Sequence, residues 1–397
     1  MTMTLLLDLD DTLLNTNLEK FIPAYFQALA KDLAPHIAPE LMFRALLSGT
    51  ALMNESEDFS QTLEEVFAND FYPQLNVPMG ELNDAIENFY DNIFPTLSGL
   101  TTQNPKARPF VDWAFSKGYR IAIATDPLLP RKATYHRLRW AGFDPQQFEL
   151  VTTYEHFHFS KTHSSYYAEV LGRLGWPDGP ALMVGNDMER DIVPAKRLGL
   201  ATFHIDEAPA SKSGPEADFH GDLQDLRSLL ESTDPSKFEP SYKSLDSILS
   251  ILSSTPAVLR GLSRKVDSSL WSLPSDSGEW TFTELICHLR DTEREIHQIQ
   301  IKLLKENSEP FIPRPDTGIW ANQRNYLQED GEAALREYIT ARRETLNLIK
   351  SFDPADWSRK ARHAIFGPTA FLEVIGFIAD HDRLHVQQAW RILQPGK

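Results

Sequence analysis

The chain has 397 residues, of which 42% are hydrophobic and 24% are charged, and its formal net charge at pH 7 is −17. This length predicts two or three domains, and the composition is typical of a soluble globular protein. The negative charge argues against nucleic acid or an anionic membrane as a partner, because their phosphate groups would be repelled. One cysteine cannot form an internal disulfide, and no apolar run approaches the roughly 18 residues of a membrane span. We therefore expect a cytoplasmic protein.

The first informative pattern is an apolar run that ends in clustered acids. Leu5–Leu7 predict a buried strand of a parallel sheet, and Asp8, Asp10 and Asp11 follow at its carboxyl end, where open α/β sheets bind ligands. Side chains two residues apart on extended backbone leave the same face, so Asp8 and Asp10 should repel each other. Mg²⁺ relieves such repulsion, and a carboxylate beside it can act as a nucleophile that forms an acyl-phosphate.

The segment Asp8–Leu13 resembles the first motif of the haloacid dehalogenase (HAD) superfamily of phosphohydrolases. The resemblance implies that Asp8 is the nucleophile and that Asp10 is the general acid and base. Residues 18–97 carry helix-like spacing of apolar residues without a strand pattern. An insert of this kind is similar to the helical cap of HAD enzymes, which covers the site and selects the substrate.

Two later strand ends extend the resemblance. Thr125 follows an apolar strand and looks like the second HAD motif, in which a hydroxyl binds the transferring phosphoryl group. Lys161 lies after another short strand and resembles the third motif, in which a cation balances the negative charge around the phosphate. Two departures are an Asp at position 126, where many members have Asn, and the absence of a proline after Lys161.

The fourth motif follows the apolar strand Ala181–Gly185. The resemblance implies that its oxygen ligands complete a Mg²⁺ site with Asp8 and the Asp10 carbonyl, and the candidates are Asn186, Asp187 and Asp191. Asn186 stands where many members have Asp. An Asn carbonyl can bind Mg²⁺ without contributing charge, so either the metal is bound more weakly or the neighbouring acid supplies the direct ligand. Residues 200–205 are predicted as the final strand of the sheet.

The composition changes after residue 206. Residues 211–240 are rich in Pro, Ser and charge and are predicted as a linker, with a short helix at 223–230 and the domain boundary near residue 236. Four long helical segments follow, near 243–266, 281–306, 331–351 and 368–393, which predict a four-helix bundle with one long connection. His381 and His385 are four residues apart, so they share a helix face at the spacing that allows two imidazoles to bind one metal. A third ligand on a facing helix would complete the site, and His288 is the candidate.

A second resemblance covers this bundle. Trp280–Glu293 and Asp380–His385 look like the helix signatures of the DinB-like superfamily of four-helix metalloproteins. The resemblance implies a divalent transition metal, such as Zn²⁺ or Ni²⁺, held by three imidazoles. The implied ligands are His288, His381 and His385. Known members include thiol-dependent transferases and hydrolases.

Three other residues of the bundle receive a structural interpretation. His297 and His363 have no partner at metal-ligand spacing, so we expect both at the surface. Cys287 points about 100° away from His288 around the helix and is expected in the core rather than as a nucleophile. Bundles of this type commonly pair through their helices, which makes a homodimer a further expectation.

Together these patterns predict an α/β Rossmann-like HAD domain (1–17 and 98–210) with an inserted helical cap (18–97), a linker (211–240) and an all-α four-helix bundle (241–397). The predicted function is Mg²⁺-dependent hydrolysis of a small phosphate monoester through an aspartyl-phosphate. In one alternative, the bundle carries the main activity as a metal-dependent thiol transferase or hydrolase, and the HAD domain is accessory. A lesser alternative is a haloacid dehalogenase, against which Asp10 argues because those enzymes generally lack an acid there.

Overall fold

The computed structural model describes residues 2–206, 217–274 and 279–394. Residues 211–216 of the predicted linker and the last three residues of the predicted bundle domain lie outside this description. The chain divides into two compact units. The first comprises Met1–Val170 with Asp178–Ser241, and the second comprises Leu171–Pro177 with Tyr242–Lys397. Among the described residues, no helix is both long enough and apolar enough to cross a membrane.

The first unit is built around a parallel sheet. Its strands are β1 (Thr4–Leu7), β2 (Leu14–Asn15), β3 (Thr102–Gln103), β4 (Arg120–Ile123), β5 (Leu150–Val151), β6 (Ala181–Gly185), β7 (Ala201–Ile205) and β8 (Phe219–Gly221). Six of them form one parallel sheet in the order β5-β4-β1-β6-β7-β8. β1 and β6 are buried along their whole length, as expected for central strands whose two faces are both covered.

Strand register brings the predicted motifs to one edge of this sheet. Leu7, the last residue of β1, is level with Ile123 of β4 on one side and with Val184 of β6 on the other. Because these parallel strands end at the same level, the residues that follow them emerge side by side. The carboxyl edge of the sheet therefore gathers the acids after β1, the hydroxyl after β4 and the polar turn after β6.

The helices of the first unit are α1 (Leu18–Leu33), α2 (Pro39–Glu55), α3 (Leu63–Leu75), α4 (Asn83–Asn88), α5 (Ala107–Ser116), α6 (Arg131–Trp140), α7 (Ser164–Arg173), α8 (Val193–Leu198) and α9 (Leu223–Ser232). Helices α1–α4 form the predicted cap, whose own core is rich in aromatic residues such as Phe21, Phe89 and Phe94. The chain leaves the sheet through β2 and returns through β3, and these two strands pair antiparallel. The cap is thus an insert held by a two-stranded neck.

The sheet extends further along the chain than the sequence pattern predicts. Residues 200–205 are not the final strand, because β8 pairs with β7 in parallel register. Helix α9 then packs Leu223, Leu226 and Leu230 into the core of the same unit. Residues predicted as linker therefore include structured parts of the α/β unit. The local sequence of β8 hides this role, since the strand is only three residues long and is only partly buried.

The second unit contains the bundle. Its elements are α10 (Leu245–Ser263), α11 (Phe282–Thr292), α12 (Gln298–Glu306), β9 (Phe311–Ile312), α13 (Trp320–Gln323), α14 (Gly331–Lys350), β10 (Lys360–His363), β11 (Gly367–Ala370) and α15 (Phe371–Leu393). Helix α11 begins at a capping box formed by Thr281 and Glu284. A π-helical turn, Glu293–His297, joins α11 to α12 and makes them one long helix. The four long helices confirm the predicted bundle, and a small three-stranded sheet, β11-β10-β9, accompanies it.

Candidate functional site

The nucleophile candidate, Asp8, lies directly after β1 and is buried. Its backbone N–H donates to the carbonyl of Val184, at 2.9 Å, which fixes the first residue beyond the strand against β6. One carboxylate oxygen, Oδ1, is 2.6 Å from Lys161 Nζ, and the other accepts from Thr12 Oγ1 at 3.3 Å. The turn that follows passes through Asp11 at φ +53°, a conformation that residues other than glycine seldom adopt.

Lys161 connects this carboxylate to a second one. Its ammonium also contacts Asp191, and both side chains are buried. Burial alone would lower the pKa of Lys161, but the carboxylates of Asp191 and Asp8 raise it above its ordinary value, so the side chain is a cation. Burial raises the pKa of Asp191 to about 7, against the opposing effect of Lys161. Side chains from three separate segments of the chain therefore meet in one buried place.

Asp10 is held through both of its oxygens. Oδ1 accepts from Thr16 Oγ1 at 2.6 Å, and Oδ2 is ion-paired with Arg137 of α6. The guanidinium of Arg137 is buried, and burial lowers its pKa to about 10, with Asp8 opposing the shift. A carboxyl group fixed at two oxygens has one orientation, which is the property that positioned proton transfer requires.

The strand end after β4 contributes Thr125 and Asp126. Thr125 is buried, and its carbonyl accepts from the hydroxyls of Thr152 and Tyr166, at 2.6 and 2.8 Å. Asp126 Oδ1 accepts from the backbone N–H of Lys161 at 3.2 Å, and Oδ2 pairs with Arg190. The acid at this position therefore ties the turn that carries Lys161 to the turn after β6.

The three candidates of the fourth motif have different environments. Asp187 caps the next turn, since its Oδ1 accepts from the backbone N–H groups of Glu189 and Arg190 at 2.9 and 3.1 Å. Asp191 lies inside, where its Oδ2 accepts from the N–H of Asp187 at 3.0 Å. Asn186 lines the cavity described below, and its backbone carbonyl oxygen is 2.9 Å from Nε2 of His204 in β7. The structure thus brings Asp191, rather than Asp187, next to Lys161.

Gly185, the last residue of β6, makes this arrangement sterically feasible. A Cβ atom built on Gly185 would lie 2.2 Å from Asp191 Oδ2 and 2.3 Å from its Cγ. The carboxylate therefore occupies the space that any other residue would fill at the strand end. The oxygen-rich, acidic donor set of Asp8, Asp10 and Asp191 fits Mg²⁺, which prefers carboxylate and carbonyl oxygens.

All of these groups face one cavity of about 420 Å³. The sheet edge and α6 supply charged and polar lining residues on one side, and side chains of the cap form most of the remaining wall. The lining residues from the sheet edge and α6 are Asp8, Asp10, Thr125, Asp126, Arg137, Lys161, Asn186, Asp187, Arg190 and Asp191. The predicted site residues of the first unit therefore share one cavity, although their individual roles stay predictions.

The predicted histidines of the second unit also meet. One ring nitrogen from each of His288, His381 and His385 lies within 4.8 Å of the other two, and the Nε2 atoms of the first two are 3.2 Å apart. Burial lowers the pKa of His288 to about 3 and that of His381 well below its ordinary value, so both rings are neutral at pH 7. The pKa of His385 is lowered by burial as well. Neutral imidazole is the form that binds metals.

The Nδ1 atoms of these rings have different surroundings. The buried Nδ1 atoms of His288 and His381 have no hydrogen-bond partner among the described residues, whereas His385 Nδ1 is 3.0 Å from Gln388 Oε1. The ring of Trp280 lies parallel to that of His385, with centroids 6.1 Å apart. Three convergent neutral nitrogens of this kind fit a divalent transition metal such as Zn²⁺ or Ni²⁺.

The prediction that His297 is a surface residue is wrong. His297 is buried, its ring centroid is 5.3 Å from that of His381, and its Nδ1 is 3.0 Å from Glu293 Oε2. Nine residues of regular α-helix would place His297 about 180° around the axis from His288. The π-helical turn before it changes that register and turns the ring inward. His363 is buried too, against Phe366 and Phe377.

Comparison with models of protein families matches a known family to a region in each half of the chain. Residues 2–199 match the model described as haloacid dehalogenase-like hydrolase, and residues 251–389 match the DinB superfamily. The chain joins a HAD-like hydrolase to a DinB superfamily region. Both resemblances seen in the sequence are therefore confirmed.

Individual curated proteins are similar to parts of the chain. A glyceraldehyde 3-phosphate phosphatase of Methanocaldococcus jannaschii is 32% identical over 88 residues, which are 22% of this chain and 37% of that protein. The chain thus spans little more than a third of the length of this relative. Pyrophosphatase PpaX of Bacillus cereus is 26% identical over 211 residues, 51% of this chain and 82% of that protein.

Solved structures are also similar to parts of the chain. A 2-haloacid dehalogenase of Pseudomonas syringae is 19% identical, with a TM-score of 0.43, and the match covers 58% of this chain and 99% of that one. YfiT of Bacillus subtilis, described as a probable metal-dependent hydrolase with an unusual four-helix bundle topology, is 19% identical with a TM-score of 0.33. That match covers 38% of this chain and 88% of YfiT.

Two residues of these sites carried no signal in the sequence. Arg137 of the HAD-like region lies on a helix with several other basic residues, and nothing in its spacing distinguishes the one that turns inward. The inward position of His297 in the DinB region depends on the π-helical turn, which the residue spacing of a regular α-helix does not predict. Knowledge of the packing of α6 and of the π-helical turn would have been needed to find either.

Proposed function

We propose that the HAD-like region is a Mg²⁺-dependent phosphatase that hydrolyses a small phosphate monoester through an aspartyl-phosphate. The observation that carries this proposal is that Asp8, Asp10 and Lys161 line one cavity. The two carboxyl groups are held differently, since Asp8 pairs with Lys161 whereas Asp10 accepts from the hydroxyl of Thr16. The relatives named as a glyceraldehyde 3-phosphate phosphatase and a pyrophosphatase support the reaction class.

The first step transfers the phosphoryl group to the enzyme. The Asp8 carboxylate attacks phosphorus in line, the bond between phosphorus and the ester oxygen breaks, and Asp10 donates its proton to the departing alkoxide. Lys161 and the hydroxyl of Thr125 stabilise the equatorial oxygens of the transferring group. Bound Mg²⁺, held by Asp8, the Asp10 carbonyl and oxygens of Asn186, Asp187 or Asp191, would neutralise part of the phosphate charge.

The second step releases phosphate. The Asp10 carboxylate, deprotonated by the first step, accepts a proton from water, and the resulting nucleophile attacks phosphorus of the aspartyl-phosphate. The bond between phosphorus and the Asp8 oxygen breaks, which restores both carboxyl groups to their starting states. Asp10 has no such task in dehalogenation, and its firm placement by Thr16 and Arg137 supports the phosphatase over that alternative.

The test is hydrolysis of 4-nitrophenyl phosphate by the full chain with Mg²⁺, with EDTA, and as Asp8→Asn. We expect turnover that requires both Mg²⁺ and Asp8. Asp112→Asn is the matched control, because Asp112 is an exposed aspartate of the same unit that pairs with Arg108 on its own helix. Equal turnover by Asp8→Asn and by the control would refute the assignment of the nucleophile.

We also propose that the DinB region binds a divalent transition metal through His288, His381 and His385. The supporting observation is that one ring nitrogen from each of the three histidines lies within 4.8 Å of the other two, on rings whose pKa burial lowers. A metal with three protein ligands keeps a position open for a thiol or water, which suits a transferase or hydrolase reaction.

Metal content tests this second site directly. Protein grown with added Zn²⁺ or Ni²⁺ is purified, and the bound metal is counted by mass spectrometry. We expect His385→Ala to lose the metal and the exposed-histidine control His36→Ala to keep it. If hydrolysis of phosphate esters is absent while a thiol-dependent reaction requires this metal, the bundle carries the main activity and the HAD-like region is accessory.

A further inference from the structure

The cavity over Asp8 has two chemically different ends. The end at the sheet edge is charged, but the wall beyond it comes mainly from apolar side chains of the cap. Ile22 and Phe26 of α1, Met53 of α2 and Phe67 of α3 all line the same space. The 420 Å³ of this cavity fall near the lower limit of the roughly 300–1,000 Å³ typical of sites for small organic molecules.

The aromatic part of this wall is fixed by its packing. Phe67 stacks on Phe71, with ring centroids 4.7 Å apart. Gly49 of α2 lies so close that a Cβ atom there would be 2.7 Å from the Phe67 ring. The missing side chain at Gly49 thus lets the ring lie against α2. The wall is therefore a defined apolar surface.

Tyrosine hydroxyls, Asn54 and Glu64 interrupt the apolar wall of this half of the cavity, and some of these groups bond to one another. The hydroxyls of Tyr25 and Tyr90 are 2.7 Å apart and bond to each other. Burial raises the pKa of the Tyr154 hydroxyl above its ordinary value, and the nearby carboxylate of Glu64 raises it further. Asn54 Oδ1 is buried and has no hydrogen-bond partner among the described residues. The free acceptor of Asn54 suits one hydroxyl or N–H group of a ligand.

Such a wall selects against substrates with many hydroxyl groups. A sugar phosphate would leave most of its hydroxyls against hydrocarbon, and each buried hydroxyl without a partner costs free energy. A hydrocarbon or aromatic group gains free energy in the same place, because it leaves water and fills the space. Inorganic pyrophosphate would leave the apolar wall unfilled.

We propose that the HAD-like site acts on phosphate monoesters of a compact, largely apolar alcohol, either aliphatic or aromatic, with at most one further hydrogen-bond donor directed at Asn54. This inference rests on the proposed phosphatase function and specifies its substrate class. The phosphate lies at the end formed by Asp8 and Lys161, and the alcohol lies against Phe26 and Phe67.

A homologous series of substrates tests the inference. The kcat/KM of the full chain with Mg²⁺ is measured for n-alkyl phosphates from methyl to hexyl, and for glucose 6-phosphate as the polyol of comparable size. We expect kcat/KM to rise about fourfold for each added CH₂ until the cavity is filled, because burying one such group contributes about 0.8 kcal/mol. The kcat/KM for glucose 6-phosphate should be at least tenfold lower than that for hexyl phosphate.

Variants of the wall connect this trend to the cavity. Phe26→Ser replaces part of the hydrocarbon by a polar group and should flatten the rise along the series. Phe67→Ala enlarges the cavity and should move the optimum to a longer chain, which mere loss of folding cannot produce. Leu47→Ser is the matched control, because Leu47 lies on α2 but is 58% exposed and does not line the cavity. The kcat/KM values of Leu47→Ser along the alkyl phosphate series should equal those of the parent chain.

The outcomes separate the two proposals. Asp8-dependent hydrolysis with no dependence on alkyl length, or with glucose 6-phosphate as the better substrate, refutes the apolar substrate class and leaves the phosphatase standing. Absence of Asp8-dependent hydrolysis for every ester, including 4-nitrophenyl phosphate, refutes the phosphatase itself. An unchanged optimum in folded Phe67→Ala would show that the alkyl group binds elsewhere.

Discussion

Replacement of Arg137 by Met tests whether the Asp10 carboxyl is positioned for proton transfer. Arg137 is 3% exposed and holds one oxygen of Asp10, while Thr16 holds the other. Methionine keeps an unbranched stem in the same space but removes the guanidinium. The Asp10 carboxyl is then free to rotate about its remaining hydrogen bond, and we expect proton donation to the leaving group to suffer.

The structure indicates the size of the effect. A hydrogen bond to a charged group contributes about 1.5–3 kcal/mol. At about 1.36 kcal/mol for each factor of ten, loss of this alignment corresponds to a decrease in rate of about 10- to 150-fold. Complete removal of the general acid in Asp10→Asn should cost more, about 10²- to 10⁴-fold.

The assay compares two leaving groups. The parameter kcat/KM reports the steps up to cleavage of the ester bond, so release of phosphate from Asp8 does not enter it. An alkyl alcohol needs a proton to depart, whereas 4-nitrophenolate departs without one. In Arg137→Met we therefore expect kcat/KM to fall about 10- to 150-fold for butyl phosphate and less than threefold for 4-nitrophenyl phosphate.

The control is Arg139→Met on the same helix, whose side chain is exposed. It should leave both substrates unaffected. Equal losses for the two leaving groups in folded Arg137→Met would mean that the guanidinium contributes to binding or folding only. No loss for either substrate would refute its role in positioning Asp10.

Two further changes probe other parts of the chain. Gly185→Ala places a Cβ atom 2.2 Å from Asp191 Oδ2, so the Asp191 carboxylate must move. We expect phosphatase activity to fall at least tenfold. Gly99→Ala is the control and should keep full activity, because its Cβ would meet nothing within 4 Å. Arg342→Met leaves the fully buried carboxylates that pair with Arg342, one of them Asp382, without their cation. Denaturant titration should show a loss of about 3–5 kcal/mol in the free energy of unfolding, and an unchanged midpoint would contradict this.

The sequence reveals the polar edge of the sheet because most of its patterns are local. Several predicted groups directly follow an apolar strand, as Asp8 follows Leu7 and Asn186 follows Gly185. Parallel strands with a common register then bring those positions together, whatever the rest of the chain does. The His381–His385 pair is readable for the same reason, since one helix turn sets its spacing.

The features that sequence reasoning missed depend on contacts between distant segments. Arg137 reaches Asp10 across more than a hundred residues, and its own helix offers several arginines. His297 turns inward because of a π-helical turn, and β8 joins the sheet through pairing alone. The apolar character of the cavity likewise emerges only after α1, α2 and α3 pack, since any amphipathic helix carries an apolar face.

The two candidate sites differ in the atoms that they offer a metal, and this difference allows their activities to be separated in one polypeptide. The HAD-like site presents carboxylate oxygens such as those of Asp8 and Asp191, which are ligands that favour Mg²⁺. The DinB site presents imidazole nitrogens, which bind Zn²⁺ or Ni²⁺ far more strongly than Mg²⁺. Removal of both metals with a strong chelator, followed by added Mg²⁺, should therefore restore phosphatase activity without refilling the histidine cluster. An activity that returns only with Zn²⁺ or Ni²⁺, and that His385→Ala abolishes, belongs to the bundle.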